Sequence, residues 1–276
     1  MKIIVGKNSG FCFGVRRAIS GTEEQVEKYK KIKCLGHLVH NEIVTKELEE
    51  KGVTFINDIS EAESNSVLII RAHGVSENIY KQAKMKNIKL IDYTCPKVCQ
   101  IHNKIKDAAD KGYQVILIGK KEHPEVIGSK GYASNVIILD NVEDVENLKD
   151  YEKVFVIVQT TFSYDKYKVI ESALAKRYKN IEFVNSICES TKSRQEECKK
   201  IAEQVDFMII IGGIKSSNTQ KLYEVARKIN KNSIMIQDEN DEKINECKKH
   251  NSIGIMSGAS TPNYVVSNLV KKLENL

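Results

Sequence analysis

Short apolar runs alternate with longer amphipathic stretches along the whole chain. Five strand-like runs recur: IKLID at 88–92, VILIG at 115–119, VFVIV at 154–158, FMIII at 207–211 and IGIM at 253–256, with Val115 to Ile118 short, continuous and rich in β-branched residues. Runs of this length and composition predict buried strands. Between and around them, helix-like patterns predict helices over 15–31, 41–51, 76–86, 97–110, 163–178, 189–204, 217–230 and 262–274. Such alternation argues for an α/β fold with mostly parallel sheets. Only three prolines and no low-complexity stretch occur, so no flexible linker marks a domain boundary.

An internal repeat marks the boundaries instead. Cys12, Cys95 and Cys188 each follow an apolar run (IIVG, IKLIDYT, IEFVNSI) and open a helical stretch. Counting 28 residues onward from each cysteine reaches a polar cluster: His40 in LVHNE, His123 in HPEV, Ser216 in SSN. Each third of the chain then holds a second strand with a polar end: VLIIRAHG with His73, VFVIVQTT with Thr160 and Thr161, IGIMSGAS with Ser260. Self-similarity sets architecture more firmly than propensity does. The length of 276 residues alone suggests two domains, whereas the repeat predicts three lobes, 1–95, 96–187 and 188–276. Three such units arrange naturally around a pseudo-threefold axis on which the three cysteines converge.

Composition narrows the chemistry. Hydrophobic residues at 41% and charged residues at 29% are ordinary for a soluble globular protein. No apolar run approaches the roughly 20 residues of a membrane span. MKIIVGKNSGFCFG lacks the organisation of a signal peptide, and the chain reads as cytoplasmic. The net charge of +6 comes from lysines interleaved with acids, which is a solvated surface rather than a nucleic-acid footprint. Tryptophan is absent and aromatics are 7%, which argues against a base-stacking platform. A mild positive balance suits a small anionic ligand.

The odd count of seven cysteines argues against a disulfide framework. Three thiolates from three lobes suit a metal centre better than a covalent nucleophile, which needs one. Structural zinc prefers four ligands from close pairs such as CxxC; none is present, and Cys95 with Cys99 form only a CxxxC. Three soft ligands without an evident fourth fit a 4Fe–4S cluster with one iron not ligated by protein. Cys34, Cys198 and Cys247 have no counterparts in the repeat and read as packing.

Around that centre the clusters offer His40, Asn41, His73, His123, Thr160, Ser216, Ser217, Asn218 and Ser260. Neutral donors at strand ends and helix starts make a site for a phosphate-like anion. No P-loop or GxGxxG is present, which argues against a nucleotide; Gly212-Gly213 is only a weak signal. His123 and Glu125, one residue apart across Pro124, read either as two metal ligands or as an acid beside an anion contact. A serine at the counterpart of His123 favours the second. Glu125 is then the one carboxylate among the donors, and a closed pocket raises its pKa toward that of a proton donor. Glu42 is a competing acid whose place in a helix's first turn already explains it. His37 and His102 lie outside the clusters and read as structural.

Together FCFGVRRA, LVHNE, RAHG, DYTCPKV, HPEVIG, QTT, ICEST followed by RQ, GGIKSSN and SGASTP resemble the LytB/IspH family of hydroxymethylbutenyl diphosphate reductases, from residue 10 to 264. The resemblance implies three α/β lobes in a trefoil around a 4Fe–4S cluster held by Cys12, Cys95 and Cys188. It also implies that His40, His73, His123, Ser216, Ser217, Asn218 and Ser260 bind the diphosphate; Asn41, beside His40 in its cluster, is counted as a further substrate-binding residue. Thr160 would position the substrate hydroxyl and Glu125 would deliver protons. The implied reaction is the last step of the non-mevalonate isoprenoid pathway, giving isopentenyl and dimethylallyl diphosphates. An electron donor such as ferredoxin or flavodoxin is implied; no nucleic-acid or membrane partner is. The other readings are a zinc-dependent hydrolase of a small phosphorylated substrate and an iron–sulfur redox sensor.

Overall fold

Strand pairing sorts the apolar runs of this computed structural model into three parallel sheets, within the described residues 1–275. The first pass runs β1 (Lys2–Val5), α1 (Phe13–Tyr29), β2 (Ile32–Leu35), α2 (Glu42–Glu50), β3 (Val53–Ile56), β4 (Val67–Ile70) and α3 (Glu77–Met85). The second runs β5 (Lys89–Asp92), α4 (Pro96–Asp110), β6 (Gln114–Ile118), α5 (Pro124–Lys130), β7 (Val136–Leu139), β8 (Val154–Val158) and α6 (Tyr164–Arg177). The third runs β9 (Ile181–Val184), α7 (Glu189–Ala202), β10 (Phe207–Ile211), α8 (Ser217–Ile229), β11 (Ser233–Ile236), β12 (Ser252–Ser257) and α9 (Asn263–Glu274). Short 3-10 helices at Ile59–Glu61, Glu143–Val145 and Glu242–Lys249 follow β3, β7 and β11. No helix among the described residues is long and apolar enough to cross a membrane.

The sheets share one topology, β3-β2-β4-β5, β7-β6-β8-β9 and β11-β10-β12-β1. β1 pairs in parallel with β12, Lys2 opposite Ser252 and Val5 opposite Ile255. The first predicted lobe, 1–95, therefore cedes its opening strand to the third sheet. There β1 takes the edge place that β5 and β9 fill by following in sequence. The chain divides into two compact units, which do not follow the predicted lobe boundaries. One comprises residues 1–16, 39–50 and those from Glu189 onward; the other comprises Arg17–Leu38 and Lys51–Cys188. The first contains the β11-β10-β12-β1 sheet and the second contains the other two.

The central strands other than β2 read clearly in the sequence because both their faces are buried. In one sheet Ile116, Ile118, Val154, Val156 and Val158 enter one core, while Val115, Leu117, Phe155 and Ile157 enter another. Successive side chains alternate between faces, so burial on both sides leaves a continuous apolar run. Strands β2, β3, β7 and β11 go beyond the predicted set. Each has four residues, β2 carries Lys33, and the other three are edges. Helix α5 is a further addition; its seven residues begin at a proline and include a glycine.

In the β3-β2-β4-β5 and β7-β6-β8-β9 sheets the chain leaves one central strand toward one edge and the other central strand toward the opposite edge; in the third it leaves β10 toward the β11 edge, while β12 is followed by α9. Ligands bind in the crevice outside the carboxyl ends of the strands at such a reversal. The polar clusters found by the repeat follow these central strands in the chain. In the second unit, Gly128 lets α5 lie on the turn after β4. A Cβ at Gly128 would stand 3.3 Å from the Val75 backbone. Gly128→Val is expected to cost about 1–3 kcal/mol by overpacking, read as a lower denaturation midpoint. An unchanged midpoint would mean that α5 and this turn separate freely.

Candidate active site at the strand ends

One hydrogen bond recurs in all three repeats. The backbone N–H of Cys12 donates to the carbonyl of Ala259 at 3.1 Å, that of Cys95 to Ala72 at 2.9 Å, and that of Cys188 to Thr160 at 2.9 Å. Each acceptor lies in the polar cluster after the second central strand of the cysteine's own sheet. Each cysteine also directly precedes a helix, α1, α4 or α7. The edge strand, its cysteine and the crevice of that sheet are thereby linked by one peptide contact.

The seven cysteines fall into distinct environments. Cys12, Cys95 and Cys188 are half-buried, whereas Cys34, Cys198 and Cys247 are fully buried. Burial pushes the Cys34 and Cys198 thiols up to about 12 and that of Cys247 to about 11. These three pack as small apolar side chains, as predicted. Cys99, half-buried on α4, is raised by the same cause.

In the second unit, Glu125 sits in the first turn of α5 rather than in an irregular loop, and is 2% exposed. Pro124 occupies the first helical position, where its missing N–H costs nothing. Thr160 grips the carboxyl twice: its N–H donates to Oε1 at 2.7 Å and its hydroxyl to Oε2 at 2.6 Å. Burial drives the Glu125 pKa up to about 7, against the opposing pull of these two hydrogen bonds. A carboxyl poised there exchanges a proton near neutral pH.

His123 caps the same helix, with Nδ1 accepting the Glu125 N–H at 3.1 Å. In a neutral imidazole that assigns the proton to Nε2, making it a donor. The His73 ring meets His123 edge to face, with centroids 5.5 Å apart. His73, His123, Glu125, Thr160, Cys95 and Cys188 all belong to the second unit.

The first unit gathers Cys12, His40, Asn41, Ser216, Ser217, Asn218 and Ser260. Gly213 permits this, since a Cβ there would lie 2.3 Å from the His40 carbonyl. The Ser260 hydroxyl donates to that carbonyl at 3.2 Å. The two asparagines behave oppositely. Asn41 accepts the Ile43 N–H at 3.0 Å and donates to the Ser260 carbonyl at 2.9 Å, so its amide braces the site. Asn218 is 4% exposed, and neither its amide oxygen nor its amide nitrogen has a hydrogen-bond partner among the described residues. A buried amide in that state costs free energy unless a ligand satisfies it. Ser216 caps α8 by accepting the Thr219 N–H at 3.4 Å. The buried hydroxyl-bearing and amide side chains thus stand at the N-terminus of a 13-residue helix, where anions are favoured.

Supporting residues lie outside the predicted set. The Gln159 amide accepts the Lys120 N–H at 3.0 Å and donates to the Thr161 hydroxyl at 2.9 Å, tying two strand ends together. Buried Arg194 donates from Nη2 to the Gly10 carbonyl at 2.8 Å, fixing the turn before Cys12. QTT and RQ stood in the motif series, but their single-residue roles emerge only from these contacts.

The LytB protein family model matches residues 3–274. A 4-hydroxy-3-methylbut-2-enyl diphosphate reductase of Clostridioides difficile is 43% identical, over 100% of both chains. One from Caldanaerobacter subterraneus is 38% identical over 100% of this chain and 98% of the relative. Among solved structures, the E-1-hydroxy-2-methyl-but-2-enyl-4-diphosphate reductase of Plasmodium falciparum superposes with a TM-score of 0.96 at 36% identity, covering 99% of this chain and 88% of that one. A second, described as the terminal enzyme of the non-mevalonate pathway, superposes with a TM-score of 0.73 at 33% identity, covering 100% of both.

Because folded Glu125 holds its proton above the ordinary value of 4.5, its contribution to stability is fully present below that pH and is lost as pH rises through about 7. The stability of wild type relative to Glu125→Gln should therefore fall by on the order of 3 kcal/mol between those limits. Denaturation midpoints at matched pH measure it. Parallel curves for the two proteins would mean an ordinary carboxyl.

Proposed function

The chain belongs to the LytB protein family, and on that premise we propose that it reductively dehydroxylates 4-hydroxy-3-methylbut-2-enyl diphosphate. Two electrons and two protons enter, water leaves, and isopentenyl and dimethylallyl diphosphates form. The single observation that carries this reading is the buried, near-neutral Glu125 held by Thr160, whose carbonyl accepts the Cys188 N–H. One residue thus touches both the proposed acid and a proposed ligand of the redox centre.

Cys12, Cys95 and Cys188 are the residues that would hold a 4Fe–4S cluster. Their half-buried thiols, in one hydrogen-bonded setting at three helix starts, suit thiolate ligation, whereas the thiols of Cys34, Cys198 and Cys247 are sealed in cores. When bound, such a cluster with one iron not held by protein supplies single electrons and a Lewis-acidic position for the substrate oxygen.

The remaining chemistry falls to the side chains. His40, His73, His123, Ser216, Ser217, Asn218 and Ser260 would bind the diphosphate, with Asn41 bracing the Ser260 backbone. The Asn218 amide, unpartnered among the described residues, and the α8 N-terminus supply donors for anionic oxygens. Glu125 would give its proton through the Thr160 hydroxyl to the departing oxygen, since Thr160 both donates to the carboxyl and is part of the strand-end cluster. Burial keeps enough of Glu125 protonated at neutral pH for this role. An electron carrier such as ferredoxin or flavodoxin completes the system.

Protein purified without oxygen should be brown and hold about four irons and four sulfides per chain. A colourless, zinc-loaded protein would overturn the redox reading in favour of a hydrolase. Cys188→Ser should lose iron, and unchanged iron content would assign that ligand elsewhere. With reduced viologen dye and the hydroxylated diphosphate, Glu125→Gln should keep the visible spectrum while turnover drops about 10²–10⁴-fold. A near-normal rate would remove Glu125 as the proton source.

A further inference from the structure

Phe13 is 74% exposed, although the chain on its N-terminal side is firmly held. Gly10 donates to the Ser257 hydroxyl at 2.7 Å and accepts from Arg194 at 2.8 Å. The Cys12 N–H is bonded to Ala259, and the Arg16 N–H returns to the Cys12 carbonyl at 2.9 Å. An aromatic ring set in water by an ordered turn is an exposed apolar contact next to a proposed cluster ligand.

Arg16 and Arg17 follow Phe13 at spacings of three and four on α1, so the three share one helix face. Both arginines are exposed. Arg17 donates to the Thr94 carbonyl at 3.2 Å and the Asp92 carbonyl at 3.4 Å, and lies over the Tyr93 ring. Both acceptors are backbone carbonyls. Thr94 immediately precedes Cys95. One turn of α1 is therefore joined by a peptide bond to one proposed ligand and by a hydrogen bond to the residue before another.

We propose that this turn, Phe13 with Arg16 and Arg17, is the docking face for a small acidic one-electron carrier protein. If the chain is the reductase described above, two electrons must reach a cluster that passes them singly. Each reduced carrier gives up one electron and leaves oxidised, and two such visits match the two electrons and two protons consumed as water departs. A small patch with one apolar contact and a cationic flank suits a weak redox encounter, in which area is low and charge sets the on-rate.

The holoenzyme is assayed anaerobically with two reductants: an acidic 2Fe–2S ferredoxin and reduced methyl viologen, which needs no docking face. Phe13→Ala and Arg16→Glu are each expected to raise the KM for ferredoxin about tenfold, to leave viologen-driven turnover within about twofold, and, for Arg16→Glu, to flatten the salt dependence. Arg16→Lys should restore most of the loss. Unchanged ferredoxin kinetics, or equal slowing with both reductants, would overturn the docking face. So would a Phe13→Ala change from dimer to monomer with unchanged kinetics, which assigns the face to a second copy. Absence of viologen turnover in wild type would instead refute the reductase function itself.

Discussion

Each sheet of this protein reverses its strand order between its two central strands, and the chemistry depends on that constraint. A parallel sheet returns its chain by crossovers, so the exits from the two central strands diverge and leave a crevice at their carboxyl ends. The repeated peptide contact from the cysteine N–H to a strand-end carbonyl binds the next segment to the same crevice. A buried backbone N–H left unpaired is costly, so this contact places the cysteines by the same requirement that builds the sheets.

With the backbone placed threefold alike, differences in side chain divide the labour. The second repeat carries a carboxyl and a threonine where burial, rather than a neighbouring charge, governs the proton affinity. Two donors to that carboxyl keep its pKa from rising further, which leaves it poised near neutrality. The third repeat carries hydroxyls and an amide at a helix start, suited to an anion. Moving either set to another crevice would lose its partners: Glu125 needs Thr160, and Ser260 needs the His40 carbonyl.

The asparagines illustrate how little residue type settles. Asn41 and Asn218 are both buried strand-end amides in the same unit. One is consumed by a helix cap and a backbone carbonyl, and the other has no partner among the described residues. The cysteines divide likewise. Thiols inside the cores are held neutral by desolvation, while those at the helix starts remain half-open.

Much was legible in the sequence for a physical reason. Strands buried on both faces must be apolar throughout, so β6, β8 and β10 read directly, and a repeated architecture repeats its polar strand ends at a fixed spacing. Glu125 stood out as the one carboxylate among those ends, and the motif series pointed to the family. Strands β2, β3, β7 and β11 have four residues each, and α5 is brief with Gly128 inside it, so local periodicity did not reveal them, although the edge strand β5 reads as IKLID. The pairing of β1 with β12 joins residues some 250 apart, as Lys2 opposite Ser252, which no local pattern encodes. Which amide is free, which glycine a neighbouring backbone requires, and which carbonyl receives each cysteine N–H are questions of distance between remote segments. Sequence determined where burial and polarity fall along the chain, and only tertiary structure decided which of those groups meet.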